Sequence, residues 1–397
     1  MRIAYLCSDL GVPVCGNKGA SVHVRELTRA LQQLGHEVLV VCGRLGGPRP
    51  DGFDVPLVEL PPEDPRRDVG DRGVRAAAYV SSLPARALPV LREFAPDAIY
   101  ERYALNGTAG LTLAQELRIP LVLEVNAPIV DEEEAHRGLA CSDAARAVER
   151  QIVRGAARVV AVSSELKRWL VGLGVEAGRV TVVANAVDPG RFGVTEGERD
   201  DVRRRLDLNG TPLVAFVGTL KPWHEPGILV RGVALLRERG VAPRLLIVGD
   251  GPERARVEDL AAEHGVSSQL TFTGAVPHDE VPAYLGAADV AAATYHAETG
   301  SYFSPLKLFE YLAAGLPVVA AELGEIPHCV RAGETGFLYP PGNAEAFADA
   351  LATLLADRER AVALGRNGRE HVLRHHTWTA NADAVAALAA QLVEEPS

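Results

Sequence analysis

The chain has 397 residues, of which 47% are apolar and 23% charged, and a formal net charge of -11. Its length points to two domains with separate cores, and its composition is that of an ordinary folded protein. The negative balance argues against nucleic acid as a partner and against adsorption to an anionic membrane, and no apolar run reaches the roughly 20 residues that cross a bilayer.

The opening "MRIAYLCSDL" reads as a first strand instead of a signal peptide, which predicts a cytoplasmic protein. The loop "GVPVCGNKGAS", the helical pattern "VHVRELTRALQQLGHEV" and the strand "EVLVVCG" follow, a βαβ unit that implies a parallel sheet. Further strands are expected at "DAIYERY", "PLVLEVN", "RVVAVS" and "VTVVAN", with helices between them. After "NAVDPGRF" the charged stretch "GVTEGERDDVRRRLDLNG" loses core character and marks the inter-domain region near 186–210. The second half restarts with "PLVAFVGTL", "RLLIVGDG", "LTFTG", "VAAATY", "PVVAA" and "GFLYP", a second doubly wound α/β domain. The expected division is therefore 1–190, 191–376, and a C-terminal helical segment, 377–397, that returns toward the first domain. The fold class is α/β, with two doubly wound Rossmann-like domains facing a cleft. Ligands of such sheets bind beyond the carboxyl ends of the strands.

Cys7, Cys15, Cys42, Cys141 and Cys329 are odd in number and share no CxxC spacing, so they read as small core residues or free thiols. Only four lysines occur, Lys18, Lys167, Lys221 and Lys307, against a large excess of Arg. Three of these lie beside glycine loops or a helix start.

The loop "GNKGAS" lacks the spacing of a dinucleotide fingerprint, while "VGDGPE", with Gly249 and Gly251, is by itself a tight turn. The segment "FVGTLKPWHE" presents Gly218 and Lys221 at a strand end, with His224 close behind. In "ETGSYFSPLKLFEYLAAGLPVVAA", Ser304 suits an N-cap and Pro305 the first helical position, and Leu308, Phe309 and Leu312 form a buried stripe. Lys307 and Glu310 are then left together on another face beside a helix N-terminus, where free amides and the dipole can hold a phosphate. Taken alone, the segment is better described by an exposed ion pair of less than about 1 kcal/mol.

Taken in order, the opening glycine loop with "GHEV", "NAVD" with the following Phe, "FVGTL", "VGDGPE", "FTGAVPHDEVPAYLGAADV", "SPLKLFEYLAAGLPVVA" and "GETGFL" resemble the landmarks of the retaining family-4 glycosyltransferases of the GT-B architecture. The resemblance runs over nearly the whole chain. It implies a nucleoside-diphosphate sugar bound mainly by the C-terminal domain and a hydroxyl-bearing acceptor, a small molecule or glycan, bound mainly by the N-terminal one. Glu310 would face the nucleotide ribose, and Lys221 with His224 the diphosphate. The amides around Gly300, Ser301 and Tyr302 would cradle phosphates or sugar, with Ser304, Leu306 and Lys307 at the helix start. Gly218, Gly249 and Gly251 would allow close approach of the donor, and Gly19 would approach it from the first domain. On the acceptor side the candidates are His23, Asn126 and Glu132.

The chain departs from the family pattern at three places. Tyr302 stands where an E-x7-E pair would have its first Glu, and Glu298 lies near but out of register. Thr219 and His224-Glu225 replace an Arg and a Lys-Gly, and Asn126 replaces a His that faces the sugar. Asn126 can still bond a hydroxyl but cannot titrate near neutrality.

Charge developing on the leaving diphosphate would be met by Lys221, Lys307 and a helix N-terminus, without a metal or other cofactor. No D-x-D motif occurs to hold a divalent ion. Retention would pass through a short-lived oxocarbenium-like ion pair, with Glu298 as the candidate should a carboxylate nucleophile be used instead. His371 and His375 are spaced as an ordinary helix surface, and "DEEEAHRG" as a solvated helix start that could attract a cationic acceptor if it lines the cleft. Competing functions are an epimerase or phosphorylase on the same frame, a non-catalytic nucleotide-sugar-binding subunit, and a nicotinamide-dependent oxidoreductase, which the first loop disfavours.

Overall fold

The computed structural model describes residues 1–63, 72–208, 210–298 and 302–394. The chain forms two compact units, Met1–Ala184 with Tyr302–Ser304 and the segment from Trp378, and Asn185–Ser301 with Pro305–Thr377.

The first unit holds a parallel sheet of β1 (Arg2–Cys7), β2 (Glu37–Cys42), β3 (Leu57–Glu59), β4 (Ala98–Arg102), β5 (Leu121–Val125), β6 (Arg158–Ala161) and β7 (Val180–Val182). Their order is β3-β2-β1-β4-β5-β6-β7. All but the end residues Arg2 and Arg102 of the central strands β1, β4 and β5 are buried, as in a parallel sheet covered on both faces, and such strands read as apolar runs. Three charged residues interrupt that pattern, Glu101 and Arg102 in β4 and Glu124 in β5. The strand β3 is an addition to the expected set: three partly exposed edge residues carry no apolar run to announce it. The helix Gly19–Gln33 follows the first glycine loop, and Arg25, buried within it, donates to the carbonyls of Val14 at 2.7 Å and Gly16 at 2.6 Å. That loop is thus clamped from inside. The final helix, Trp378–Glu394, packs against Gly19–Gln33, with Trp378 edge-on to His23 at 5.0 Å.

The second unit holds β8 (Leu213–Val217), β9 (Arg244–Val248), β10 (Leu270–Gly274), β11 (Val290–Ala293), β12 (Val318–Ala321) and β13 (Gly336–Tyr339), all parallel in the order β10-β9-β8-β11-β12-β13. All six are the strands expected from the sequence. The order reverses between β8 and β11, and the segments leaving those two strands are the natural ligand position.

Two local expectations are corrected. The charged stretch expected to mark the inter-domain region lies within the second unit as the helix Glu196–Arg205, closed by a capping box between Thr195 and Glu198. Its arginines clamp Asp289, Arg199 at 2.8 Å and Arg203 at 3.2 Å, and also bond carbonyls of residues 286–288. The "SPLKLFEYLA" helix begins one residue late: Pro305 takes the N-cap place in extended conformation and Ser304 lies before it, making no cap. The ring of Pro305 still pre-sets the backbone entry, so the error is one of register at the terminus.

Candidate functional site

In the second unit the predicted donor residues converge on the ends of β8 and β9 and the start of the Leu306–Ala313 helix. Gly218 follows β8 with φ +137° and Gly249 follows β9 with φ +143°, backbone that only glycine enters freely. A Cβ on Gly249 would overlap the Gly218 carbonyl, and one on Gly218 would stand 2.9 Å from Lys307 Nζ. Gly251 lies against the Leu220 backbone, to which the turn is tied by the bond from Leu220 N to Asp250 O at 3.0 Å.

Lys307 is the unusual member of this group. Its Nζ is shut from solvent and has no hydrogen-bond partner among the described residues, although other atoms of the residue keep partial exposure. The ammonium lies 4.3 Å from the centre of the Phe216 ring and 5.6 Å from that of Tyr295. Burial pushes it down to about 7, against the opposing pull of Glu310. The reading of Lys307 and Glu310 as an exposed ion pair is therefore wrong, because both are folded inward. Glu310 is buried and accepts from His278 Nε2 at 2.6 Å.

His224 supplies no charge. Burial first, then Lys307, holds it at about 3, and its Nδ1 bonds the Thr219 carbonyl at 2.6 Å. A carbonyl only accepts, so Nδ1 carries the proton and Nε2 presents a lone pair. The Lys221 ammonium takes no hydrogen bond among the described residues and lies 5.6 Å from the Trp223 ring centre. Leu306 occupies the first turn of the helix, while Glu298 is 90% exposed and pairs with His296 alone among the described residues, so it is not gathered into this cluster. Gly300 and Ser301 lie outside the described residues.

The first unit holds a second polar centre, and it was not anticipated. Glu124, 1% exposed in β5, accepts from His23 Nε2 at 2.8 Å, Tyr100 Oη at 2.7 Å, Arg102 at 3.0 Å and Asn126 Nδ2. Burial would raise its carboxyl, yet His23, Arg102 and Asn126 together bring it down to about 2. Two acceptor candidates, His23 and Asn126, are thus neighbours through a shared anion. His23 is 5% exposed, whereas Asn126 stays partly exposed just past the end of β5. Glu132, in the first turn of the helix Ile129–Arg137, accepts from the Tyr302 hydroxyl, and the Tyr302 carbonyl accepts from Ser163 at 2.6 Å. Tyr302 and the buried Ser304 accordingly belong to this unit. Gly19 opens the helix after the clamped loop. The acidic helix is not uniformly solvated, since Glu133 is buried, while Asp131 and Glu134 pair with Arg146.

His278 and Glu124 were missed by sequence reasoning, although both sit in quoted segments. Glu124 is signalled by a lone acid inside an apolar central strand; His278 has no signal short of coordinates. Among the described residues no cluster of three or more His, Cys, Asp or Glu is placed to hold a metal, the mutually tilted rings of His371, His375 and His376 included.

Comparison with known proteins follows this division. Residues 17–191 match the family model described as Glycosyltransferase Family 4, and residues 198–371 that described as Glycosyl transferases group 1. A D-inositol 3-phosphate glycosyltransferase of Nocardia farcinica is 33% identical over 93% of this chain and 85% of its own. A GDP-mannose-dependent alpha-(1-6)-phosphatidylinositol monomannoside mannosyltransferase of Mycobacterium tuberculosis is 31% identical over 85% of this chain and 89% of its own. Among solved structures, Anabaena HepE with UDP and glucose superposes with a TM-score of 0.78 over 99% of this chain and 100% of that one, at 20% identity. The lipopolysaccharide-biosynthesis glycosyltransferase WaaG reaches 0.74 over the full length of both, at 17% identity. The two parallel-sheet units and these relatives together make the chain a family-4 glycosyltransferase of GT-B architecture.

Proposed function

We propose that this enzyme transfers a hexose from a nucleoside-diphosphate sugar to a hydroxyl of a small polyol phosphate or glycan precursor, with retention of configuration and without a metal. The observation that carries the reading is the buried, unpartnered ammonium of Lys307 beneath Gly218, at the switch point of the second sheet. A buried cation without an anion is costly, so the site is built to receive one. Lys307 and the exposed-side Lys221 would neutralise the departing diphosphate, and Glu310 would accept from the ribose hydroxyls. The bond from the anomeric carbon to the phosphate oxygen breaks with its electron pair leaving on the diphosphate. The acceptor oxygen then bonds that carbon on the same face and passes its proton to the departing phosphate oxygen. The inositol-based acceptors in the names of the curated relatives make inositol phosphates the first acceptors to try.

The test is a panel of UDP-, GDP- and ADP-sugars with inositol phosphates and simple glycosides, run with and without EDTA. Release of nucleoside diphosphate that requires both an acceptor and the native protein, and that survives EDTA, is the expected result. Turnover without any acceptor would point to epimerisation or hydrolysis, and binding without turnover to a non-catalytic subunit.

A further inference from the structure

Four donors meet the Glu124 carboxylate, two on each oxygen, so its lone-pair sites are filled. Burial pushes the Tyr100 hydroxyl far up and keeps its proton in place, and Arg102 is always charged. Glu124 is therefore an ionised group that can only accept. The amide edge that Asn126 turns toward it must be the NH2 edge, because the flipped amide would set a carbonyl oxygen against a carboxylate oxygen. Among the described residues Asn126 makes no other hydrogen bond, and it stands partly exposed at the carboxyl end of a central parallel strand, where such sheets receive ligands.

We propose that Glu124 is a positioning residue that fixes the hydrogen-bonding sense of Asn126, so that Asn126 meets its ligand only through Oδ1 and selects a group that donates, a sugar or polyol hydroxyl. An ionised phosphate or carboxylate, having no proton to give, is turned away from this point. For a phosphorylated polyol acceptor this places a hydroxyl, not the phosphate, against Asn126. The proposal rests on the glycosyltransferase reading for the nature of the ligand, but the orientation of the amide does not.

Two measurements separate these parts. In 15N-labelled free protein the Asn126 side-chain amide is assigned by its absence from Asn126→Ala. One Nδ2 proton shifted downfield and slow to exchange, both properties lost in Glu124→Gln, is the expected result. An amide resonating and exchanging like a solvated one in the wild type overturns the proposal. Steady-state transfer to D-inositol 3-phosphate, or to whichever panel acceptor turns over, gives the second readout. Asn126→Ala and Glu124→Gln should each raise the acceptor KM about five- to tenfold, the loss of one hydrogen bond, with the donor KM within about twofold. Asn126→His, assayed at alkaline pH where one ring nitrogen donates to Glu124 and the other keeps its lone pair, should recover most of that loss. An unchanged acceptor KM in Asn126→Ala, or no recovery by His, contradicts the selective role. Wild type that transfers to no acceptor would count against the glycosyltransferase reading, while the amide spectrum still decides the orientation.

Discussion

Lys307 shows how a functional demand is written into one side chain at a cost to stability. Its ammonium is pushed down to about 7, so between that value and the ordinary 10.5 the unfolded chain binds the extra proton. The destabilising contribution of Lys307 is thus largest below pH 7 and fades as pH rises toward 10.5. Lys307→Met, which keeps the stem and suits the Phe216 and Tyr295 rings, should stabilise the protein by roughly 1–3 kcal/mol at pH 7, a gain that fades above pH 10. Urea midpoints at the two pH values check it. Glu101 is a second buried cost. Burial lifts it to about 8, opposed by a bond from the Gly110 amide, and its Oε2 has no partner. A raised carboxyl loses stability as pH climbs from 4.5 to 8, so Glu101→Gln should stabilise by on the order of 3 kcal/mol at pH 7 and by little at pH 4.5. A variant equally or less stable at both would contradict the buried-acid reading. At this scale the sequence was a partial guide. Lys307, Glu310, Gly218 and His224 could be picked out because they border glycine turns and a helix start. Their charge states could not, since burial decides them and burial is a property of the assembled sheet ends. His278 meets Glu310 across 32 residues of chain and Glu124 meets His23 across 101, contacts that only folding makes.

Elements were more legible than side chains. Six strands of the second unit stood out because both faces of a parallel sheet are covered, which turns each strand into a short apolar run. The edge strand β3 escaped because an edge is half wet and needs no such run. The helix Glu196–Arg205 escaped for a different reason: its stability comes from ends and charges rather than an apolar stripe. Thr195 and Glu198 satisfy each other's backbone amides, and Arg199 and Arg203 reach Asp289. Thr195→Ala should therefore cost about 1 kcal/mol, read as a lower urea midpoint with unchanged slope. An effect below about 0.3 kcal/mol would show that the arginine clamp alone holds this helix.

At the scale of the molecule, the order of landmarks along the chain carried the family, and two parallel sheets of seven and six strands bear it out. The division of the chain is less simple than a single boundary, because Tyr302–Ser304 and the helix Trp378–Glu394 join the first unit from far along the sequence. Deleting the chain from Trp378 onward should strip cover from His23 and its helix, so the truncated protein should lose its first unit's cooperative unfolding in calorimetry. An unaltered thermogram would show that this helix is dispensable. Nucleotide base and acceptor were not legible, since both are chosen by loop atoms whose positions no periodicity encodes. Donor binding, as proposed, depends on an anion being received where Lys307 lies buried. Titration calorimetry of UDP and GDP into wild type and Lys307→Met tests this directly. The prediction is that one nucleoside diphosphate binds the wild type and binds the more stable variant at least about tenfold more weakly; equal affinities for the two proteins would contradict it.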